Sequence, residues 1–432
     1  MHISRIKNII MMLWEKAFKL LFSLIWVAYL SRLVGPEDFG EYSYLFAIIT
    51  LFSMLPLFGM ENVVIKGLVE RDNGILISAL YIRLFFSIFS AFFVFFTFTV
   101  GELQNVNYAF CISLLIFLAL TSELIKNFYQ SKEDAKKYVV IDNCAIVVSF
   151  IIKMYLTENG NRDYLILISL DYVLTFIFVA IVFKFDSNRE RLSLGVNLKK
   201  ISYVFKQSFP FFISTLMVVI YSKVDQLMIK DMLGYQELGY YSAALRISSS
   251  WWVIPTTLIL SLYPILIAQY NKNKNEEIAA CFFSICTFIS LLIGTLVFVL
   301  SDSIVYAVFG EKYIAASEII KAHCFIGCLA SLGVARSKWL IIKGLQKWIP
   351  LFIFLGMILN IAGNYILINY MGLIGAVLST LISQLAVLVV FPFLVKSTRD
   401  SVFLIIKSFS PNLFIQGLDF FIFRKSNSFE RD

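Results

Sequence analysis

The residues able to do chemistry in this chain are charges set where charges are expensive. Arg83, Lys153, Lys223 and Arg246 stand well inside long apolar runs, and so do Asp142, Asp171 and Asp225. A charge at a bilayer centre costs about 2.5–3.5 kcal/mol on insertion scales. Such residues must line a wet cavity, pair with one another or snorkel. Arg grips an oxyanion bidentately and Lys meets it as a point charge. Cations in excess of acids within the runs therefore suit an anionic passenger, whereas a carrier of cations would want the opposite balance.

Each position has a bland reading beside the sharp one. Arg83 has no acid within helical reach in its own segment, so it either pairs with another helix or contacts the passenger. Asp142, Ser149 and Lys153 recur at seven and four along one stripe. Lys223, Gln226 and Lys230 form another stripe, and Asp225 points away from it, either toward an Arg of another helix or as a proton-coupling acid. Glu15 and Lys19 are spaced to neutralise each other at i,i+4. Lys16, Lys66, Lys321 and Lys338 lie near predicted helix ends, where a long side chain snorkels to the interface. Pro255 and Pro264 fall within one run and should bend it.

Other chemistry has no foothold. The only histidines are His2 and His323, so no metal site is expected, and no G-x-x-x-x-G-K-[ST] loop exists to bind ATP. No catalytic residue and no cofactor are expected. All six cysteines lie in apolar runs and are expected to be core residues, not a disulfide framework. The first run lacks a small-residue cleavage site and carries Glu15, Lys16 and Lys19, which predicts a retained helix.

The elements that must position these charges follow from composition. Of 432 residues, 59% are hydrophobic and 15% charged, where a soluble domain carries about 25% charged residues. The chain is an all-α polytopic membrane protein. Spanning runs are predicted near 9–34, 42–66, 75–100, 106–129, 138–157, 163–185, 203–233, 240–270, 278–301, 315–342, 349–369 and 373–395. Backbone groups in hydrocarbon must be satisfied within the segment, which dictates helices. Lys and Arg crowd the loops on one side, while Arg32, Arg162, Lys230 and Lys312 fall on the other. The rule that positive loops stay inside places both termini in the cytoplasm. The net charge of +8 is then a topology signal, and no nucleic-acid partner is expected.

An internal repeat divides the chain. Residues 29–48 and 228–247, at an offset of 199, share Gly35/Gly234, Gly40/Gly239, Tyr42/Tyr241, Ser43/Ser242 and Ile48/Ile247. Both follow the first helix of a six-helix half, and the glycines there suit a tight turn. Because six is even, the halves should be related by a pseudo-two-fold axis along the membrane normal. The expected division is an N-terminal six-helix lobe over 1–185, a cytoplasmic linker over 186–202, a C-terminal six-helix lobe over 203–399, and a tail over 400–432 with an interfacial helix.

Three stretches carry a family resemblance: SRLVGPEDFGEYSYLFAI (Ser31–Ile48), YSKVDQLMIKDMLGYQELGYYSAALRIS (Tyr221–Ser248) and GLIGAVLSTLIS (Gly372–Ser383). They resemble the O-antigen and polysaccharide-repeat flippases of the multidrug/oligosaccharidyl-lipid/polysaccharide superfamily. The resemblance implies alternating access in a twelve-helix bundle. It also implies a polyprenyl-pyrophosphate-linked oligosaccharide as substrate, the bacterial inner membrane as location, and other polysaccharide-assembly membrane proteins as partners. Arg83, Lys153, Lys223 and Arg246 would then hold the pyrophosphate, with Asp142, Asp171 and Asp225 as coupling or ion-pair acids. The related lipid II flippases usually carry two more helices, for which no span remains. Two other classes stay in view: a multidrug antiporter of the same superfamily, and a membrane glycosyltransferase or polymerase. Glu37–Asp38 superficially resemble the acids of such enzymes, but every predicted outer loop is short, the longest running over 302–314.

Overall fold

The computed structural model describes residues 2–72, 74–100, 106–132, 134–186, 197–273 and 276–422, and those residues are almost wholly helical. The chain forms two compact units. One comprises Met1–Val34 with Glu41–Lys223, and the other Gly35–Gly40 with Val224–Asp432.

The first unit holds α1 (His2–Val34), most of α2 (Pro36–Leu57), α3 (Glu61–Val69), α4 (Ile75–Val100), α5 (Val106–Ala119), α6 (Ser122–Ser131), α7 (Ala135–Glu158), α8 (Tyr164–Phe185) and α9 (Leu198–Leu233) as far as Lys223. Two of its spans are broken. The second breaks after Pro56, where Phe58 adopts φ 46°. That conformation is costly for a bulky residue. The ring is held by stacking on Phe86, Phe205 and Phe212, with centroids 4.8, 4.8 and 4.5 Å away. The fourth span breaks at Leu120–Thr121, separating α5 from α6.

The second unit contains the remainder of α9, then α10 (Tyr235–Ser250), α11 (Val253–Asn273), α12 (Glu276–Phe309), α13 (Ala316–His323), α14 (Ile326–Ile342), α15 (Trp348–Leu385), α16 (Phe391–Leu394), α17 (Arg399–Lys407) and α18 (Pro411–Gly417). As Pro255 predicts, the eighth span is interrupted, and the interruption falls just before it at Trp251–Trp252. Proline cannot donate to the carbonyl four residues back, and the Trp251 carbonyl accepts instead from Ile254 at 3.0 Å.

Eleven helical stretches among the described residues are long and apolar enough to cross a membrane. The last, Trp348–Leu394, has 47 residues, about twice what a ~30 Å core requires at ~1.5 Å per residue. It is a hairpin. Gly372 sits at φ 58°, ψ −136°, and the arms fold back closely enough that Gly356 lies on Val387 and Gly363 on Ser379. Counting both arms gives the expected twelve crossings. The bent pair α17–α18, turned through 95°, makes no straight crossing. Its Leu404, Ile405 and Leu413 pack with α12. Lys343 fastens the start of this segment, lying 2.8 Å from Glu276 and 3.5 Å from Asp400. Burial alone would push its ammonium down, but Glu276 and Tyr270 hold it above the usual lysine range.

The repeat also meets itself. Within the second unit, a Cβ on Gly40 would strike the Tyr235 carbonyl, and one on Gly239 would strike the Pro36 carbonyl. Of the repeat's four matched glycines, Gly35 and Gly234 use a positive φ. Gly40 and Gly239 are helical and serve close approach, not the turn that the sequence suggests. Of the cysteines, Cys281, Cys286, Cys324 and Cys328 are buried as expected, whereas Cys111 and Cys144 are exposed.

Gly372→Ala should destabilise the protein by about 1–3 kcal/mol, because its backbone region is open to glycine alone. Gly333→Ala, in open space on α14, should leave the detergent melting temperature unchanged or slightly raised. Equal behaviour of the two variants would contradict the hairpin.

Candidate functional site

The charges singled out in the sequence separate into distinct stations. On α1, α6 and α7, Glu15, Lys19, Lys126 and Asp142 form one network. Lys19 lies 2.7 Å from Glu15 and also pairs with Asp142; Lys126 lies 3.1 Å from Asp142 and 3.0 Å from Glu123. The expected Glu15–Lys19 pair is present, but as part of a larger cluster. Lys126 corrects the topology count: it is not a loop cation but a buried one. The break at Leu120–Thr121 turns α6 so that its lysine faces inward, a placement that hydropathy alone does not reveal.

Arg83 is buried on α4, and its guanidinium donates to the Leu120 carbonyl. That carbonyl lies at the α5–α6 break, where the regular helical donor is lost: Leu124 N–H bonds Thr121 instead. Arg336 repeats the device on α14, donating to the Val387 carbonyl inside the wide-turn segment Ala386–Val390. The structure thus gives Arg83 a backbone partner, where the sequence offered an acid on another helix or the passenger.

Lys153 and Asp142 share α7 but serve different stations. Lys153 Nζ lies 2.8 and 2.9 Å from the two Asp171 oxygens, Ser149 Oγ donates to the same carboxylate at 2.5 Å, and the Trp26 ring lies 4.6 Å from the ammonium. Trp26 is fixed in turn by its Nε1–H, which donates to Tyr42 Oη at 3.2 Å.

Lys223, half-buried on α9, places its ammonium 5.5 Å from the Phe46 ring. Arg246 is half-buried on α10. Asp225 lies buried in the second unit, and no arginine among the described residues donates a hydrogen bond to it. Asn364 Nδ2 donates at 2.6 Å, Thr380 Oγ1 at 2.8 Å and Tyr241 Oη at 3.0 Å. Asn360 Nδ2 donates to Thr380 at 3.3 Å, and Asn364 Oδ1 finds no partner among the described residues. Asn360, Asn364 and Thr380 were not singled out from the sequence. A signal existed: two asparagines one helical turn apart in an otherwise apolar run. Tyr241 was visible only as a repeat identity. Its bond to Asp225 matches Tyr42 to Trp26 position for position at the offset of 199.

The family model described as polysaccharide biosynthesis protein matches residues 6–270. The chain belongs to the polysaccharide biosynthesis protein family. Among relatives of this family member, a candidate O-antigen transporter of Shigella dysenteriae is 20% identical over 406 residues, covering 91% of this chain and all of that one. A solved multidrug-resistance MATE transporter in an inward-facing conformation superposes with a TM-score of 0.68 at 15% identity, covering 94% of this chain and 96% of that one. The lipid II flippase MurJ in an inward closed conformation gives 0.66 at 14% identity, covering 96% and 98%. At such identities the structures establish the fold alone. The 98% coverage of MurJ leaves no unmatched stretch the size of the two additional helices expected from the sequence.

Two variants test the structural stations of this family member. Lys126→Met leaves Asp142 with Lys19 alone and takes the lysine from Glu123, which should cost about 1–3 kcal/mol, less than a fully orphaned buried charge, and deplete the protein in membranes. Arg83→Ala removes one of two donors from the Leu120 carbonyl, which keeps the Glu123 N–H at 3.1 Å, and should cost about 0.5–1.5 kcal/mol, with a smaller loss of abundance and a lower detergent melting temperature. Normal abundance and melting of both would remove the structural assignment.

Proposed function

We propose that this chain is a flippase carrying a polyprenyl-pyrophosphate-linked oligosaccharide from the cytoplasmic to the outer leaflet of the bacterial cytoplasmic membrane. The observation that carries this reading is the family match over residues 6–270, joined to end-to-end similarity with a candidate O-antigen transporter. No bond is broken. The task is to move a hydrophilic, anionic head group past hydrocarbon while the polyprenyl tail stays in lipid.

The charge stations support that task. Lys153, Lys223 and Arg246 are the cations we assign to the head group, and Arg83 to holding the fourth span. An inside-negative potential favours outward movement of an anion by about 2.3 kcal/mol per charge per 100 mV. Protein cations then have only to replace the water lost from the phosphates. Asp225 is the coupling acid in this reading. A buried carboxylate ringed by neutral donors can be stabilised by a proton or a monovalent cation, and Asn364 Oδ1 adds an acceptor beside it. Both termini lie in the cytoplasm. The division into 1–185, a linker over 186–202, 203–399 and a tail over 400–432 belongs to the same proposal, although residues 187–196 and 423–432 lie outside those described. Other membrane proteins of polysaccharide assembly would receive the product.

Expression in a bacterium lacking its own flippase should restore surface polysaccharide. Lys223→Ala and Arg246→Ala should each lower export at least tenfold at normal abundance, and Asp225→Asn should stop it. Dye efflux without polysaccharide export would favour the multidrug reading instead. Cysteines introduced at Asn159 and Glu311 should label from outside, and those at Lys132 and Lys347 only from the cytoplasm. The reverse pattern would invert the topology.

A further inference from the structure

The Lys153 station has its exposure the wrong way round for a structural ion pair. Lys153 and Ser149, the donors, are 4% and 0% exposed, whereas the Asp171 side chain they hold is 45% exposed. The donors are also the fixed partners. Both rise from α7, where the Lys153 carbonyl accepts from Thr157 Oγ1 at 2.6 Å. Trp26, beside the ammonium, is 3% exposed and held by Tyr42. The acceptor comes alone from α8 and stands on the open side. The station is therefore a buried, preorganised anion cradle whose present occupant is a carboxylate open at the surface of its unit.

Resting on the flippase reading, we infer that Asp171 is an internal place-holder for the head group's diphosphate. One edge of a phosphate presents two oxygens much as a carboxylate does, so it can take both bonds from Lys153 Nζ and the bond from Ser149 Oγ. A buried ammonium stripped of its partner is strongly destabilising. Exchange of one anion for the other keeps Lys153 paired throughout, and the displaced Asp171 moves to the solvated side. The exchange is reversible by the same logic. Lys153 stands little more than one turn from the end of α7 at Glu158, which is the outer end in the proposed topology. Return of Asp171 there competes the diphosphate off the cradle on the side where the lipid must leave. No bond is made or broken in the exchange. Asp171 is a positioning residue, and Ser149 is the second donor of the site.

The test uses the full-length protein in detergent micelles, with inorganic pyrophosphate and a polyprenyl pyrophosphate as separate probes. Carbodiimide labelling of Asp171, read by peptide mass spectrometry, should rise at least threefold when the carboxylate is displaced. A rise with both probes assigns the cradle to diphosphate as such, and a rise with the lipid alone assigns it to the lipid-borne group. No rise with either, or protection, overturns the inference. Independently, Asp171→Asn should bind the probe that releases Asp171 about tenfold more tightly, and Lys153→Gln added to it should remove that gain. Unchanged affinity of folded Asp171→Asn also overturns it. If this variant does not accumulate, the labelling of the wild-type protein decides alone. Polysaccharide export by the wild-type chain separates the two claims: export without any labelling change sinks only the place-holder, and a labelling change without export sinks only the flippase.

Discussion

Inside a bilayer every polar group must find its partner within the protein, because no water is there to substitute. This constraint organises the chain more than any single packing contact. At two irregular turns within the spans, a long buried cation adds a donor to a backbone carbonyl. Arg83 does this at Leu120, and Arg336 at Val387. The breaks in turn aim side chains that a straight helix would direct elsewhere. Lys126 joins Glu15, Lys19 and Asp142 because α6 begins afresh after Thr121. Irregular backbone and buried charge in these units are one solution to one problem.

That coupling explains what the sequence could and could not reveal. The spans, the repeat and the break before Pro255 were legible, since hydropathy over twenty residues and the missing proline N–H act locally. The family was legible from the loop glycines and their surroundings. Partnership was not. Asp142 and Lys153 share a stripe of α7, yet they face different neighbours, and only the packing of α1, α6 and α8 decides which. The break at Leu120 carries no proline or glycine, so nothing local announces that Lys126 turns inward. Asp225 left two readings open, an arginine partner and a coupling acid. An acid in a span invites a search for an arginine, whereas its donors are an amide, a hydroxyl and a phenol.

The buried charges fall into two kinds by what holds them. Some are locked by several partners at once, as Asp142 is by Lys19 and Lys126. Such groups cannot change state without unravelling a neighbourhood, so they suit a scaffold. Others rest on partners that are neutral or exposed, as with Asp225 in its neutral cage or Lys153 beside a half-exposed carboxylate. A transporter needs both kinds: a frame whose charges never let go, and a few sites where letting go is cheap.

The matched tyrosines show how the two halves parted company. Tyr42 and Tyr241 each reach back sixteen positions to the preceding helix, the first meeting Trp26 and the second Asp225. The repeat places the two tyrosines alike, but their partners differ. Exchange of an aromatic ring for a carboxylate at one of them is enough to change the preference of that half. The indole face welcomes an ammonium, and Lys153 occupies it. The carboxylate instead takes neutral donors from an amide, a hydroxyl and a phenol. One repeated contact has thus diverged into two different electrical appetites, without disturbing the helices that carry it.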